Sequence, residues 1–357
     1  MNKTPLIIIG GGLSGLYLAY RLAKVGKDFL LLEARNRLGG RIKTSDAHDL
    51  GPTWFWPGQQ QMIKLSQELD CQIFEQQNTG DILYEDPNVF SERLPGNQYQ
   101  MTSYRIQGGI SSLIDKLQAQ VPSSTILLNH KVTSVKNQDN DVKIDAQNNG
   151  NDISFTCDNL VFALPPRLIE DKIRFSPDLS DRIRNDMRAI PTWMAGNAKA
   201  LIRFQRPFWR EHNLSGQAFS RIGPMMEIHD ASSPDHNYAL FGFLGGSGAQ
   251  RKNLGTAHLK HQIEEQIQRL FGPEAPTPLE ITIKDWAQDP FTATIEDIEP
   301  LQSHPQYRHP ESMQNIWQGQ IEFIGSELAS SEGGYLEGAL ISAKETMDKI
   351  STKWLNK

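Results

Sequence analysis

Pro5-Leu6-Ile7-Ile8-Ile9-Gly10-Gly11-Gly12-Leu13-Ser14-Gly15 decides the fold class of this 357-residue chain. The apolar, β-branched run at 5–9 predicts a buried parallel strand. Residues 15–25 carry a helical pattern, with Leu16, Ala19, Tyr20 and Ala23 on one side and Gly26 placed to end the helix. Phe29-Leu30-Leu31-Leu32 predicts a second strand, so the unit is strand–helix–strand. In that setting Gly10 makes a tight turn, Gly12 lets the backbone approach a pyrophosphate, and Gly15 lets the helix pack closely on the strand. The helix start at Leu13 and Ser14 offers unpaired N–H groups and a positive dipole end to phosphates. Glu33 ends the second strand about 20 residues after the loop, where an acid hydrogen-bonds a ribose hydroxyl and repels a 2′-phosphate. The glycines alone do not choose between NAD and FAD.

The next stretch does help. Glu33-Ala34-Arg35-Asn36-Arg37-Leu38-Gly39-Gly40-Arg41 places two glycines where a main chain can pass against further phosphate and ribityl, with arginines adding positive charge. Near the other end, Gly325-Ser326-Glu327 follows a predicted strand, and Gly333-Gly334-Tyr335-Leu336 opens a helical pattern over 335–350. A glycine pair before a helix exposes backbone N–H groups and a positive dipole end to negative charge. With their order and distance, these two ends resemble the two halves of the flavin site in the flavin-dependent amine oxidase family. Leu50-Gly51-Pro52-Thr53-Trp54-Phe55-Trp56-Pro57 resembles that family's loop beside the isoalloxazine, although Pro52 and Trp56 stand where glycine and histidine are commoner.

The resemblance covers nearly the whole chain and implies site residues throughout. Glu327 is expected near the ribityl and phosphates, and the main chain of Tyr335 and Leu336 near the pyrimidine. The Tyr335 ring matches one wall of the aromatic cage that holds an amine. His130-Lys131-Val132 resembles the strand whose backbone, at Val132, contacts adenine. Ala198-Lys199-Ala200-Leu201-Ile202-Arg203-Phe204, ending in Pro207-Phe208-Trp209, resembles the family's lysine strand, so Lys199 is expected to hold a water on flavin N5. A lysine in an apolar strand is costly to bury without such a partner. After Lys284-Asp285-Trp286 the match weakens: the second cage aromatic is missing or supplied by Phe291. Cys71 and Cys157 are the only cysteines and neither occupies the position of covalent attachment, so FAD is expected to bind non-covalently. Only about 26 residues, 78–103, stand where relatives insert a long helical segment. They leave room for a compact lid but not for a deep enclosed tunnel, which puts amine specificity in question.

Composition bounds the rest. A net charge of −6, 38% hydrophobic residues and a mean hydropathy of −0.48 fit a globular chain with no nucleic-acid footprint and no integral membrane segment. Two unpaired cysteines and no signal peptide fit a cytoplasmic location. The polar stretch 137–152 reads as one hairpin with a surface loop. His258 and His261 lack further metal ligands, and no Gly-x-Ser-x-Gly elbow is present. Arg105, Arg203 and Arg221 are candidates either for a substrate carboxylate or for solvated charge.

The expected fold is a doubly wound, Rossmann-like α/β FAD domain from 1–77, 104–165 and 290–357. A smaller α+β substrate domain on an antiparallel sheet would come from 78–103 and 166–289. The expected activity is amine-oxidase-type hydride transfer to FAD, with dioxygen as acceptor and peroxide as product. The substrate cavity would include Trp56, Phe291 and Tyr335. A dehydrogenase or desaturase of a non-amine substrate, and a non-redox flavoprotein, remain alternatives.

Overall fold

A computed structural model describes residues 3–96 and 102–353. Residues 1–2, 97–101 and 354–357, which belong to the expected domain segments, lie outside the described residues.

The apolar run becomes the strand Thr4–Ile9, with its last four residues buried. It pairs in parallel with Leu30–Leu32 on one side and with the second half of Asn151–Phe162 on the other. Ile126–Leu127 and Ile321–Phe323 extend this parallel core at its two edges. The helix between the first two strands spans Leu13–Lys24, starting two residues before the periodicity predicts. It ends as expected at Gly26, whose positive φ lets Gly26 N–H and Lys27 N–H bond back to Ala23 and Leu22 carbonyls. A buried layer joins this helix to Met62, Leu113, Leu340 and Met347, so the N-terminal and C-terminal helices share one core.

The polar stretch 137–152 forms two consecutive hairpins, not one. Strands His130–Gln138, Asp141–Asn148 and Asn151–Phe162 run antiparallel in turn. The second reversal is made by Asn149 and Gly150, both at positive φ, a pairing that suits a tight primed turn. The first half of Asn151–Phe162 thus belongs to the antiparallel meander and the second half to the parallel core.

A second, seven-stranded sheet runs in the order 280–285, 198–204, 238–244, 225–230, 214–220, 81–86, 89–94, with all but one of its pairings antiparallel. The helix Thr256–Phe271 packs Ile263, Ile267 and Leu270 against it. Residues 81–94, half of the expected lid segment, are the edge hairpin of this sheet.

The expected boundary at 165 falls too early. After Pro165 the chain folds back as the helix Pro166–Lys172, then Arg174–Ser176 pairs in parallel with the 134–136 stretch of the first sheet. Ile169, Phe175, Leu179 and Met187 bury into the first sheet's core, which ties residues 166–189 to that body. The molecule is therefore a mixed α/β fold with a parallel, Rossmann-like sheet and a separate, largely antiparallel one. No helix among the described residues is long and apolar enough to cross a membrane.

Candidate active site

One cavity of about 350 Å³ runs from the first glycine turn to the seam between the two sheets. The glycines at its N-terminal end differ in physical reason. Gly10 sits at φ +109, and a Cβ there would lie 2.5 Å from the Ala163 carbonyl oxygen. At Gly15 an added Cβ would lie 2.0 Å from the Gly10 carbonyl oxygen and 2.9 Å from the Ala163 Cβ, so it shapes helix–strand packing and does not line the cavity. Gly12 is different. Its φ of −69° and ψ of 179° suit any residue, and an added Cβ would meet no protein atom within 4 Å. The space beside Gly12 belongs to the cavity, at the N-terminus of a helix that has no side-chain cap. This is the geometry of an anion cradle.

Glu33 is 3% exposed. Its carboxylate accepts from Gly11 N–H at 2.7 Å and Arg35 N–H at 2.8 Å, which clamps the glycine turn to the end of the second strand. Ala34 only links Glu33 to Arg35 and stands outside the cavity lining. Gly39 N–H donates to the Gly11 carbonyl, and Gly40, at φ +58, lies where a Cβ would press on Gly12 Cα at 3.2 Å. The arginines beside these glycines are spent on the protein itself. Arg37 donates to the carbonyls of Leu38, Gly40 and Ile42, each at 2.8 to 2.9 Å. Arg41 makes a two-pronged pair with Glu327, at 2.6 and 3.0 Å, and also donates to the Trp193 carbonyl. That pair bridges the two ends of the chain and, against the cost of burial, holds Glu327 below the usual carboxylate range.

Lys199 occupies the seam. Its side chain enters from the strand Ala198–Phe204, and its Nζ donates to the Gly51 carbonyl at 3.0 Å and to the Thr53 hydroxyl. The Phe241 ring lies 3.8 Å from the nitrogen. Burial pushes this ammonium down to about 7, with Asp49 acting in the opposite sense and Arg105 in the same one. Pro52, Thr53 and Trp54 line the cavity beside it, and Trp286 fixes their loop by donating from its indole to the Leu50 carbonyl at 3.0 Å.

Trp56 and Tyr335 form an edge-to-face pair, with ring centroids 5.4 Å apart. Phe291 lines the same cavity, and its ring lies under the Arg35 guanidinium at 5.2 Å. Asp289 and Thr292 both accept from the Arg35 guanidinium, which anchors the 289–292 turn to Arg35. The ring stacked on Tyr335 is His304, at 4.8 Å and 10°.

Val132 is buried in the first sheet's core outside the cavity lining. Arg105 is buried and donates to the Ala231 and Ser232 carbonyls, Arg203 pairs with Asp46 and Glu280, and Arg221 is exposed; none of the three lines the cavity. Trp193, Met194, Asn197, Gln59 and Phe243 line it without having been singled out from sequence. The glycines at 333 and 334 carry a signal for one of these: a Cβ at Gly334 would lie 3.2 Å from Trp193 Cγ and 3.0 Å from Tyr307 Cε2. Both cysteines are buried away from the cavity, which leaves no thiol to bond a cofactor there. No cluster of metal-ligating side chains occurs among the described residues.

The profile of the family described as flavin containing amine oxidoreductase matches residues 77–350, and that of an NAD(P)-binding Rossmann-like domain matches residues 8–78. A probable flavin-containing monoamine oxidase A of Dictyostelium discoideum is 22% identical, with 98% of each chain covered. That alignment extends over 461 positions, so more than a hundred positions of the relative have no counterpart in these 357 residues. Amine oxidase [flavin-containing] A of Canis lupus familiaris is likewise 22% identical, over 97% of this chain and 84% of the relative. Among solved structures, putrescine oxidase bound to putrescine superposes with a TM-score of 0.81 at 19% identity, covering 99% of this chain and 100% of that one. Cyclohexylamine oxidase from Brevibacterium oxydans IH-35A gives 0.82 at 17% identity, with full coverage of both. The chain belongs to the flavin-containing amine oxidoreductase family, as an FAD-dependent oxidoreductase.

Proposed function

We propose that this protein is an oxidase that takes a hydride from the carbon next to a neutral amine, with FAD held non-covalently along the cavity. When bound, FAD accepts that hydride and passes the electrons to dioxygen, giving peroxide. The observation that carries the reading is the junction of two features in one cavity: the glycine cradle at Gly12 and the buried lysine at its far end.

In this reading the helix start at Leu13 and Ser14 binds the pyrophosphate and Glu33 the ribose. Gly39, Gly40, Gly325 and Glu327 border the ribityl chain. Gly51, Pro52, Thr53 and Trp54 face the reacting ring, and Gly334, Tyr335 and Leu336 its pyrimidine. Lys199 holds a water at the hydride-accepting edge; the ammonium has three N–H groups, and two are already engaged by Gly51 and Thr53. Trp56 and Tyr335 orient the substrate and exclude bulk water. The two buried thiols fit a cytoplasmic enzyme.

A second reading, a dehydrogenase or desaturase of a non-amine substrate, is favoured by one observation. The Phe291 ring is engaged by the Arg35 guanidinium, which argues against its serving as a free second wall of the aromatic cage expected around an amine.

The test is an anaerobic titration of the FAD-loaded protein with primary amines, polyamines, amino acids and dihydropyridines, followed at the visible flavin band. Bleaching by an amine and recovery in air support the oxidase. Bleaching by a dihydropyridine alone supports the second reading. No bleaching by any of them overturns both.

A further inference from the structure

Two of the aromatic rings that line the cavity are backed from outside by a segment that the proposed chemistry does not use. Residues 298–310 carry no helix or strand and run between the short helices Ile295–Asp297 and Glu311–Met313. Within them His304 is exposed and stands outside the cavity lining. Its imidazole stacks on the Tyr335 ring, with centroids 4.8 Å apart and planes 10° from parallel. The same imidazole meets Trp193 edge-to-face at 4.6 Å. Both partners line the cavity, and Trp56 also meets Tyr335 there at 5.4 Å. Trp193 is fixed through its backbone: its N–H donates to Glu327 at 3.2 Å, and its carbonyl accepts from Arg41.

The segment rests on the glycine pair that precedes Tyr335. A Cβ at Gly333 would lie 2.5 Å from Tyr307 Cβ. One at Gly334 would lie 3.0 Å from Tyr307 Cε2 and 3.1 Å from His304 Nε2. The Tyr307 hydroxyl donates to the Pro191 carbonyl at 2.9 Å, two residues before Trp193. The missing side chains at 333 and 334 therefore make room for the 304–307 stretch as well as for the start of the C-terminal helix.

We infer that His304 is a positioning residue for the aromatic wall. Set between Trp193 and Tyr335, it fixes the Tyr335 ring and closes the cavity to bulk water at that point. A half-buried ring with open space on its outer side moves between rotamers, and a stacked neighbour removes that freedom before a substrate arrives. Both contacts of His304 are ring contacts, which a phenylalanine would reproduce. The substrate half of this inference rests on the role proposed for Tyr335; the closure of the cavity does not.

The test compares FAD-loaded wild type, His304→Ala, His304→Phe and Gly333→Ala. Each is followed by iodide quenching of the bound-flavin fluorescence, by tryptic cleavage after Arg308, and by anaerobic flavin reduction with benzylamine. Arg308 is exposed and is the only Lys or Arg within 298–310, so its cleavage reports whether the segment stays in place. His304→Ala should raise the iodide quenching constant at least about twofold, by the loss of one aromatic pair. The benzylamine concentration for half-maximal reduction should rise by about 2- to 10-fold, with the limiting rate changed less. His304→Phe should return both to wild type. Gly333→Ala has a backbone φ that suits alanine and keeps both rings, but its methyl displaces Tyr307. It should quench like His304→Ala and be cleaved faster after Arg308.

Unchanged quenching in His304→Ala overturns the inference. So does a Gly333→Ala that is cleaved faster without a change in quenching, or a His304→Phe that quenches like His304→Ala. If quenching and cleavage shift as expected while no amine reduces the flavin, the oxidase reading fails and the positioning role of His304 stands. If quenching shifts while the half-maximal benzylamine concentration does not, Tyr335 is no substrate wall and the substrate half is overturned.

Discussion

Gly12→Ala separates the demands of the fold from those of the ligand at one atom. The backbone angles at Gly12 suit alanine, and the added methyl would touch no protein atom within 4 Å. Two small effects on the apoprotein oppose each other. Restricting the unfolded chain contributes about 0.4–1 kcal/mol, and replacing glycine at a helix N-cap by alanine costs a similar amount. Apoprotein stability should therefore stay within about 1 kcal/mol of wild type. FAD should feel the change fully, because the methyl fills space that a pyrophosphate needs. Overpacking by one methyl costs about 1–3 kcal/mol, which corresponds to a loss of about 5- to 150-fold in FAD affinity. The assay pairs urea unfolding of the apoprotein with an FAD titration followed by flavin fluorescence. Gly15→Ala is the contrast: its Cβ would sit 2.0 Å from a carbonyl oxygen, so folding itself should fail or lose 2 kcal/mol or more by the order of core overpacking. If Gly12→Ala binds FAD as tightly as wild type, the phosphates do not lie on this turn and the cofactor placement is wrong.

Glu33→Ala should give protein depleted in FAD and about 3 kcal/mol less stable, since Gly11 and Arg35 N–H groups both lose a buried carboxylate acceptor; the flavin-to-protein absorbance ratio and urea midpoint check it, and full occupancy refutes it. Lys199→Met should keep FAD yet slow turnover at least about tenfold, or 1.4 kcal/mol of barrier, in steady-state oxygen consumption; unchanged turnover removes Lys199 from the mechanism. Arg41→Ala should cost about 3 kcal/mol by leaving the Glu327 carboxylate buried and unpaired, and adding Glu327→Gln should restore most of it in a double-mutant cycle; additive losses would refute the pairing.

The local parts of the fold were legible because their causes are local. A β-branched run, three spaced glycines and an acid after the next strand specify the turn between Ile9 and Leu13 through steric and hydrogen-bond terms reaching only along the chain and to its first neighbour. The helix end at Gly26 and the start of the C-terminal helix near Leu336 follow the same logic. The course of the chain after Pro165 and the second hairpin of 137–152 are less legible in the sequence, each for its own reason. Whether Arg174–Ser176 joins the first sheet depends on a strand 40 residues earlier, whereas Asp141–Asn148, an interior strand, does carry an alternation of buried Val142, Ile144 and Ala146 among its polar residues.

By itself the sequence determined the parallel dinucleotide-type core, the flavin rather than the phosphorylated nicotinamide ligand, and the family. Those properties rest on motifs whose residues touch each other over short spans, as Gly11 does Glu33 and Gly39 does Gly11. Only the tertiary structure decided what surrounds the reacting end. It brought Arg41 to Glu327 across 286 residues and set Lys199 on Thr53 across 146. It stacked His304 on Tyr335, set the Phe291 ring under Arg35, and buried Asp49, His48 and Arg105. A side chain's charge state and the second wall of a cavity depend on which distant segments exclude water around it, and that is a property of packing that no linear spacing carries.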